Sequence, residues 1–243
     1  VQEALKETDI VIIVTGSIEQ HGPQNPLGTD SISIYEIAKR AVKQLETEGI
    51  KVVMGPLIPF GISPHHMAFP GTISLKPSTF KALVFDVGEC LIRHGFQNVI
   101  LLNGHGGNAH EVAMAALELA EKTEANVHFL IPRPKPIEGY VSGDHGGLAE
   151  TSRNLAIVPK LVNMKKATNN QNPEYDKIFA GYPTNPADYL SLTVKRWAEI
   201  TNQLGFRGNA ASATPELGEE SINRSVRVIC NYIKNHFILK IKQ

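Results

Sequence analysis

The chain has 243 residues, 24 Lys and Arg against 24 Asp and Glu, no formal net charge with histidine neutral, and 42% hydrophobic residues. A chain of that size and balance buries a full core, and it lacks the clustered basic charge from which non-specific nucleic-acid affinity comes, which argues against a nucleic-acid partner. Cys90 and Cys230 both lie among apolar residues of helix-like segments, which predicts reduced, buried thiols, no disulfide framework and a cytoplasmic chain. The apolar run at 10–14 is too short for a signal segment or a bilayer span, so no membrane role is expected. Nine histidines remain to be explained, most of them beside glycine, proline or an acid.

In chain order, residues 10–15 form a β-branched-rich run that reads as a strand. Ile34, Ala38, Ala41, Val42 and Leu45 then share one helical face, with Asp30 or Ser31 as N-cap and Gly49 as the stop. A second strand is expected over 50–58. Pro77 sits where a first-turn proline belongs, Phe80, Leu83, Val84, Val87 and Leu91 form the stripe behind it, and Gly95 ends that helix. Residues 98–102 read as a third strand, Asn108 can cap a third helix running to about Glu124, and 126–131 read as a fourth strand. After a more irregular stretch at 160–213, Thr214-Pro-Glu starts a closing helix with Ile222, Val226, Ile229, Ile233 and Phe237 on its apolar face. With no repeat and no linker, one domain spanning 1–243 is expected. The order β-α-β-α-β-α-β predicts an α/β fold of three layers, α/β/α, with a mostly parallel central sheet.

Open α/β sheets bind ligands beyond the carboxyl ends of their strands. Each strand here is followed by chemistry: Gly16-Ser-Ile-Glu19-Gln-His21-Gly-Pro and Leu27-Gly-Thr-Asp30; Ser63-Pro-His65-His66; Asn103-Gly-His105-Gly-Gly-Asn108; and Ser142-Gly-Asp-His145-Gly-Gly-Leu-Ala-Glu150-Thr-Ser152. Glu19 and His21 are two apart, so in an extended segment both face one way and can flank a metal ion. Asp30 can reach back and bridge two divalent ions with its two oxygens, and His105 adds an imidazole from a neighbouring strand. Asp30 alone could be a helix cap and the glycine-rich turn only a tight connection; the four residues together at one rim point to a metal site. His145 and Glu150 form a second constellation, a proton-shuttling imidazole beside an acid that binds metal or handles water. Of His65 and His66, adjacent in a loop, at most one is expected to face the site, as a lid contact or a catalytic group. Tyr175, Phe179, Tyr182, Tyr189, Trp197 and Arg207 could serve a lid, a subunit contact or core, a contact being preferred.

The blocks around Glu19, His21 and Asp30, Phe69-Pro-Gly-Thr-Ile-Ser-Leu75, Asn103-Gly-His105-Gly-Gly-Asn108 and His145-Gly-Gly-Leu-Ala-Glu150-Thr-Ser152 resemble the signature blocks of the creatininase (creatinine amidohydrolase) family. The resemblance spans about 10–152 and resumes weakly at 213–220. It implies an α/β/α fold, a binuclear site of two divalent ions, zinc before manganese, a small polar cyclic substrate, and a homo-oligomer, frequently a hexamer. It implies metal ligands at Glu19, His21, Asp30 and His105, with Asp30 bridging, His145 as proton-transfer residue and Glu150 at or beside the metals. Two departures stand out. Creatininase has a ligating glutamate where this chain has Gly107, so either Glu150 supplies that carboxylate or one ion is loosely held. Creatininase also places tryptophans around its flat substrate, whereas the only tryptophan here, Trp197, lies outside the matched blocks.

The resulting expectation is a metal-dependent hydrolase in which metal-activated water attacks a carbonyl of a small cyclic amide, breaking a C–N bond. The alternatives are hydrolytic ring opening of a cyclic diketone, as in 3-dehydro-scyllo-inosose hydrolysis within the same family, and a non-catalytic metal-binding α/β protein.

Overall fold

The structure, a computed structural model, describes residues 1–134, 144–172 and 194–238. Tyr175, Phe179, Tyr182 and Tyr189, like Ser142, lie outside the described residues. After a short helix α1 (Gln2–Leu5), the elements are β1 (Ile10–Thr15), α2 (Thr29–Thr47), β2 (Val53–Ile58), α3 (Pro77–Arg93), β3 (Asn98–Asn103), α4 (Ala109–Thr123), β4 (Asn126–Leu130), α5 (Leu148–Ile157), β5 (Asn169–Asn170), α6 (Val194–Ile200), β6 (Gly208–Asn209) and α7 (Pro215–Ile233). The four long strands form one parallel sheet in the order β2-β1-β3-β4.

The reason lies in β1, whose six residues are all buried and, except for Thr15, all Val or Ile. A strand apolar at every position suits only a sheet covered on both faces. Alternation sends Ile10, Ile12 and Val14 to one face, where they meet Ile34, Ala38, Ala41 and Leu45 of α2 and Ile222, Val226, Ile229 and Ile233 of α7. Val11 and Ile13 go to the other face, against Phe80 and Val84 of α3 and Val112, Ala115 and Leu119 of α4. These are the three layers that the strand and helix order implies.

Most boundaries match the sequence pattern. Pro77 opens α3, Thr214 caps α7 by accepting the Leu217 N–H at 3.3 Å, and α2 and α3 end just before Gly49 and Gly95. Four details differ. The fully buried face of α3 is Phe80, Val84, Gly88 and Ile92, with Val87 and Leu91 packed partly buried against the same core and Leu83 exposed, so the stripe is centred one row away from the expected one. Cys230 is buried as expected, but Cys90 is exposed on α3; both are free thiols. Neither Asp30 nor Ser31 caps α2, which begins at Thr29 with Gly28 as N-cap, so the Asp30 carboxylate sits inside the first turn. Asn108 does occupy the N-cap position of α4, but its side chain caps nothing. Its oxygen accepts the Ile62 N–H at 2.9 Å and its amide donates to the Gly16 carbonyl at 2.9 Å. A fully buried amide thereby ties the loops after β1, β2 and β3 together. No helix among the described residues is long and apolar enough to cross a membrane.

Candidate metal centre

The strand order reverses at β1: the chain passes from β1 to β2 on one side, then returns to β3 on the other. Outside the carboxyl ends of strands at such a reversal a crevice forms. Glu19 and His21 follow β1 there, Asp30 enters from the first turn of α2, His66 comes from the Pro64–His66 turn after β2, and His105 follows β3. His145 and Glu150 arrive with the N-terminal end of α5.

That last segment is docked by the loop after β1. The Gly146 carbonyl accepts from Gln24 Nε2 at 2.5 Å and Asn25 Nδ2 at 3.2 Å, and Asn25 also donates to Thr151 Oγ1 at 2.9 Å. Gly146 has φ of +62°, and a Cβ there would stand 2.6 Å from the His21 carbonyl, so only glycine lets the segment come this close. Asp144, which the sequence reading passed over, accepts the Ala149 N–H at 2.7 Å and so caps α5. Burial, then Glu150, raises its carboxyl to about 7. An acid shortly before a helix start was the available signal for it.

The structure brings all six of the sequence-selected residues together. His21 Nε2 lies 3.7 Å from Glu19 Oε1, 3.4 Å from Asp30 Oδ1 and 3.5 Å from Glu150 Oε2. His105 Nδ1 is 3.1 Å from Asp30 Oδ2 and its Nε2 3.4 Å from Glu19 Oε2. Asp30 therefore presents one oxygen to each of two imidazoles. His145 Nδ1 lies 3.8 Å from Glu19 Oε1, and its ring stacks on His21 with centroids 4.3 Å apart.

Three rings share one feature. His21 Nδ1 bonds the Glu19 carbonyl at 3.0 Å, His105 Nε2 the Ile62 carbonyl at 3.0 Å, and His145 Nε2 the Gln20 carbonyl at 2.8 Å. A carbonyl only accepts, so each of these nitrogens carries a hydrogen, and the second nitrogen of each ring is turned toward the carboxylates. Metal-binding imidazoles are held in this manner. Glu19 Oε2, Asp30 Oδ2 and His21 Nε2 are buried without a hydrogen-bond partner among the described residues. Burying a charge unpaired costs several kcal/mol, a large share of a typical stability of about 5–15 kcal/mol, so such atoms call for a cation. Without metal, protons fill that need. Burial opposes charge on His21 and His105, but Asp30 and Glu150 around the first, and Glu19 and Asp30 around the second, raise them to about 10 and about 9. Burial raises Glu19 to about 7; burial would raise Asp30 too, but His21 and His105 hold it well below the usual carboxylate range. Burial, reinforced by His21, keeps His145 well below the usual imidazole value.

Gly107 explains one departure from the family pattern. A Cβ there would meet the Ile62 carbonyl at 2.2 Å and the His105 ring at 2.5 Å, so no side chain fits, and the carboxylate nearest His21 from outside the first two loops is Glu150. His66 was underweighted by the sequence reading. It is 1% exposed and its Nε2 lies 3.7 Å from Glu19 Oε1. Trp197 requires a correction. Although distant from the matched blocks in sequence, it packs edge-on against His66 at 4.8 Å, His65 at 5.2 Å and His145 at 5.4 Å, so the site does have a tryptophan beside it. Arg207 is buried, and its backbone pairs with that of His145.

Comparison with known proteins agrees with this architecture. The family model Creatininase, described as creatinine amidohydrolase, matches residues 1–233. The chain is 27% identical over 226 residues to a mycofactocin precursor peptide peptidase of Mycolicibacterium smegmatis, covering 93% of this chain and 84% of that one. It is 27% identical over 254 residues to a creatinine amidohydrolase of Pseudomonas putida, covering 94% and 90%. A solved mutant creatininase of the Zn–Zn type superposes with a TM-score of 0.76 at 25% identity, covering 97% and 93%. The parallel sheet, the ordered blocks at its carboxyl rim and the match along nearly the whole chain place this protein in the creatininase family, as a metal-dependent hydrolase.

Proposed function

We propose that the protein, acting as one domain, hydrolyses the C–N bond of a small cyclic amide with two divalent ions, zinc preferred and manganese an alternative. The observation that carries this reading is that Glu19 Oε2, Asp30 Oδ2 and His21 Nε2 are buried without hydrogen-bond partners among the described residues, in side chains gathered at one rim where His21 Nε2 lies 3.7 Å from Glu19 Oε1 and 3.4 Å from Asp30 Oδ1. Glu19, Asp30 and His105 would hold one ion and His21, Asp30 and Glu150 the other, with Asp30 shared. Bound there, the ions would supply Lewis acidity toward a water and a substrate carbonyl.

His145 does the proton work in this reading. Its Nε2–H is tied to the Gln20 carbonyl, which fixes the tautomer and leaves Nδ1 to take a proton within the site and return it to the leaving nitrogen. Low basicity in the buried ring favours the return step. Gln24 and Asn25 hold the backbone of that segment, so His145 and Glu150 keep their aim. A homo-oligomer, hexameric by family resemblance, and a cytoplasmic location belong to the same proposal; exposed Leu83, Met114 and Leu117 on the packed helices α3 and α4 support a subunit contact.

The test is metal analysis of the purified protein joined to an activity panel of creatinine, other cyclic amides, formamides, short peptides and keto-inositols. Two equivalents of zinc with turnover of a cyclic amide is the expected result. Turnover of a keto-inositol alone would move the assignment to C–C cleavage, and metal without turnover of anything would favour a binding protein.

A further inference from the structure

Glu150 reaches the site by a different route from the other acids. Glu19 follows β1 directly and Asp30 lies in the first turn of α2, whereas Glu150 arrives in the first turn of α5. Its Oε2 accepts the Gly146 N–H at 2.6 Å, and the same oxygen lies 3.5 Å from His21 Nε2. The aim of this carboxylate therefore depends on where α5 begins.

Asp144 sets that point. Its Oδ2 accepts the Ala149 N–H at 2.7 Å while Glu150 reaches back to Gly146, so two carboxylates bond across the helix start in opposite directions, as in a capping box. Between them runs His145, whose N–H donates to the Arg207 carbonyl at 3.2 Å and whose carbonyl accepts the Arg207 N–H at 2.7 Å. The other oxygen, Asp144 Oδ1, is buried without a hydrogen-bond partner among the described residues. It is lodged against Gly147 and Gly208, where a Cβ on either glycine would strike it. A carboxylate wedged between the start of α5 and β6 cannot swing without moving backbone on both sides, because packed groups have no free space to turn into. Its hydrogen bond goes to the backbone of α5 and not to a proposed ligand. Thr214 offers a like-for-like contrast: it caps α7 through the Leu217 N–H at 3.3 Å, and α7 carries no residue of the site.

We propose that Asp144 is a positioning residue for the ion served by Glu150: by holding the Ala149 N–H it fixes the start of α5, and with it the aim of Glu150 at His21. The inference rests on the two-metal reading above, in which Glu150 serves one ion while Glu19 and His105 serve the other.

The test is zinc occupancy of the full chain, measured by elemental analysis after dialysis of zinc-loaded protein against buffers of graded free zinc. Wild type is expected to hold two ions. Asp144→Ala should keep one at wild-type affinity and bind the other about ten- to a hundredfold more weakly, the usual effect of removing a group that orients a metal ligand. Asp144→Asn retains an acceptor for the Ala149 N–H and should recover most of that loss. Thr214→Ala should lower Tm by about 2–4 °C, as a lost cap does, with both zinc affinities unchanged. Two unchanged ions in Asp144→Ala, equal weakening of both, no recovery in Asp144→Asn, or the same zinc loss in Thr214→Ala each overturns the positioning role. Should Asp144→Ala not fold, Asp144→Ser, whose shorter side chain draws the acceptor back from Ala149, carries the same expectation and the same overturning results. Wild-type protein that holds fewer than two ions overturns the two-metal reading and this inference together, whereas two tightly held ions in both wild type and Asp144→Ala overturn this inference alone.

Discussion

The molecule has two histidine clusters, and they behave differently. At the carboxyl rim, His21, His66, His105 and His145 surround Glu19, Asp30 and Glu150, and buried polar atoms are left without partners. At the far edge of the sheet, His128 on β4 meets Tyr232 and the ring of His236, with Tyr232 and His236 stacked at 4.0 Å. There His128 Nδ1 bonds the Tyr232 hydroxyl at 2.6 Å and Nε2 bonds Asn126 Oδ1 at 2.8 Å, and His236 Nδ1 bonds the Tyr232 carbonyl. Residue type does not separate the clusters. The presence of carboxylates and the unmet hydrogen-bonding capacity do, because a satisfied imidazole packs like any aromatic ring whereas an unsatisfied one beside buried acids needs a cation or a ligand.

The largest effect should come from the shared carboxylate. Asp30→Ala is expected to lose bound metal and to lower kcat/KM by at least about a thousandfold; full metal content measured by elemental analysis would break the comparison at its centre. His145→Ala should keep its metals while kcat falls by about 10²–10⁴, the range for a removed proton carrier, which steady-state kinetics on the identified substrate checks.

A third effect concerns pH. His21 and His105, raised to about 10 and about 9 without metal, hold protons at neutral pH that an incoming ion must displace. Zinc affinity should therefore climb as pH rises from 6 to 8, by about tenfold per unit for each proton released. Calorimetry in buffers of different ionisation enthalpy counts those protons, and zero release would sink the protonated-imidazole account.

Asn108→Ala removes the tie between three loops and should cost about 1–3 kcal/mol, or roughly 2–4 °C in Tm per kcal/mol, read by thermal unfolding. Smallest of all, His128→Phe should cost no more than about 1 kcal/mol and leave metal content and activity unchanged. A metal or activity loss there would erase the distinction between the clusters.

Much of the fold was legible because its signals are local. The β-branched runs, the proline of α3, the Thr214 cap and the period of α7 each depend on residues within a turn or two of one another. The roles of the site residues were less legible. Asp30 looks like a cap in the sequence, and only the start of α2 at Thr29 frees its carboxylate. His65 and His66 are equivalent on paper, and the turn at Pro64–His66 decides which is buried. Trp197 lies 131 positions after His66, and no spacing rule connects them.

The sequence by itself determined that the chain folds as a helix-covered parallel sheet and that acids and histidines collect at one end of it, since hydrophobic period and loop position follow from the order of residues. Which oxygen faces which nitrogen, why Gly107 must stay bare, and how Trp197 comes to stand beside His66 were decided only by tertiary structure. These depend on contacts a few ångströms long between segments far apart in the chain, and packing, rather than local propensity, sets such distances.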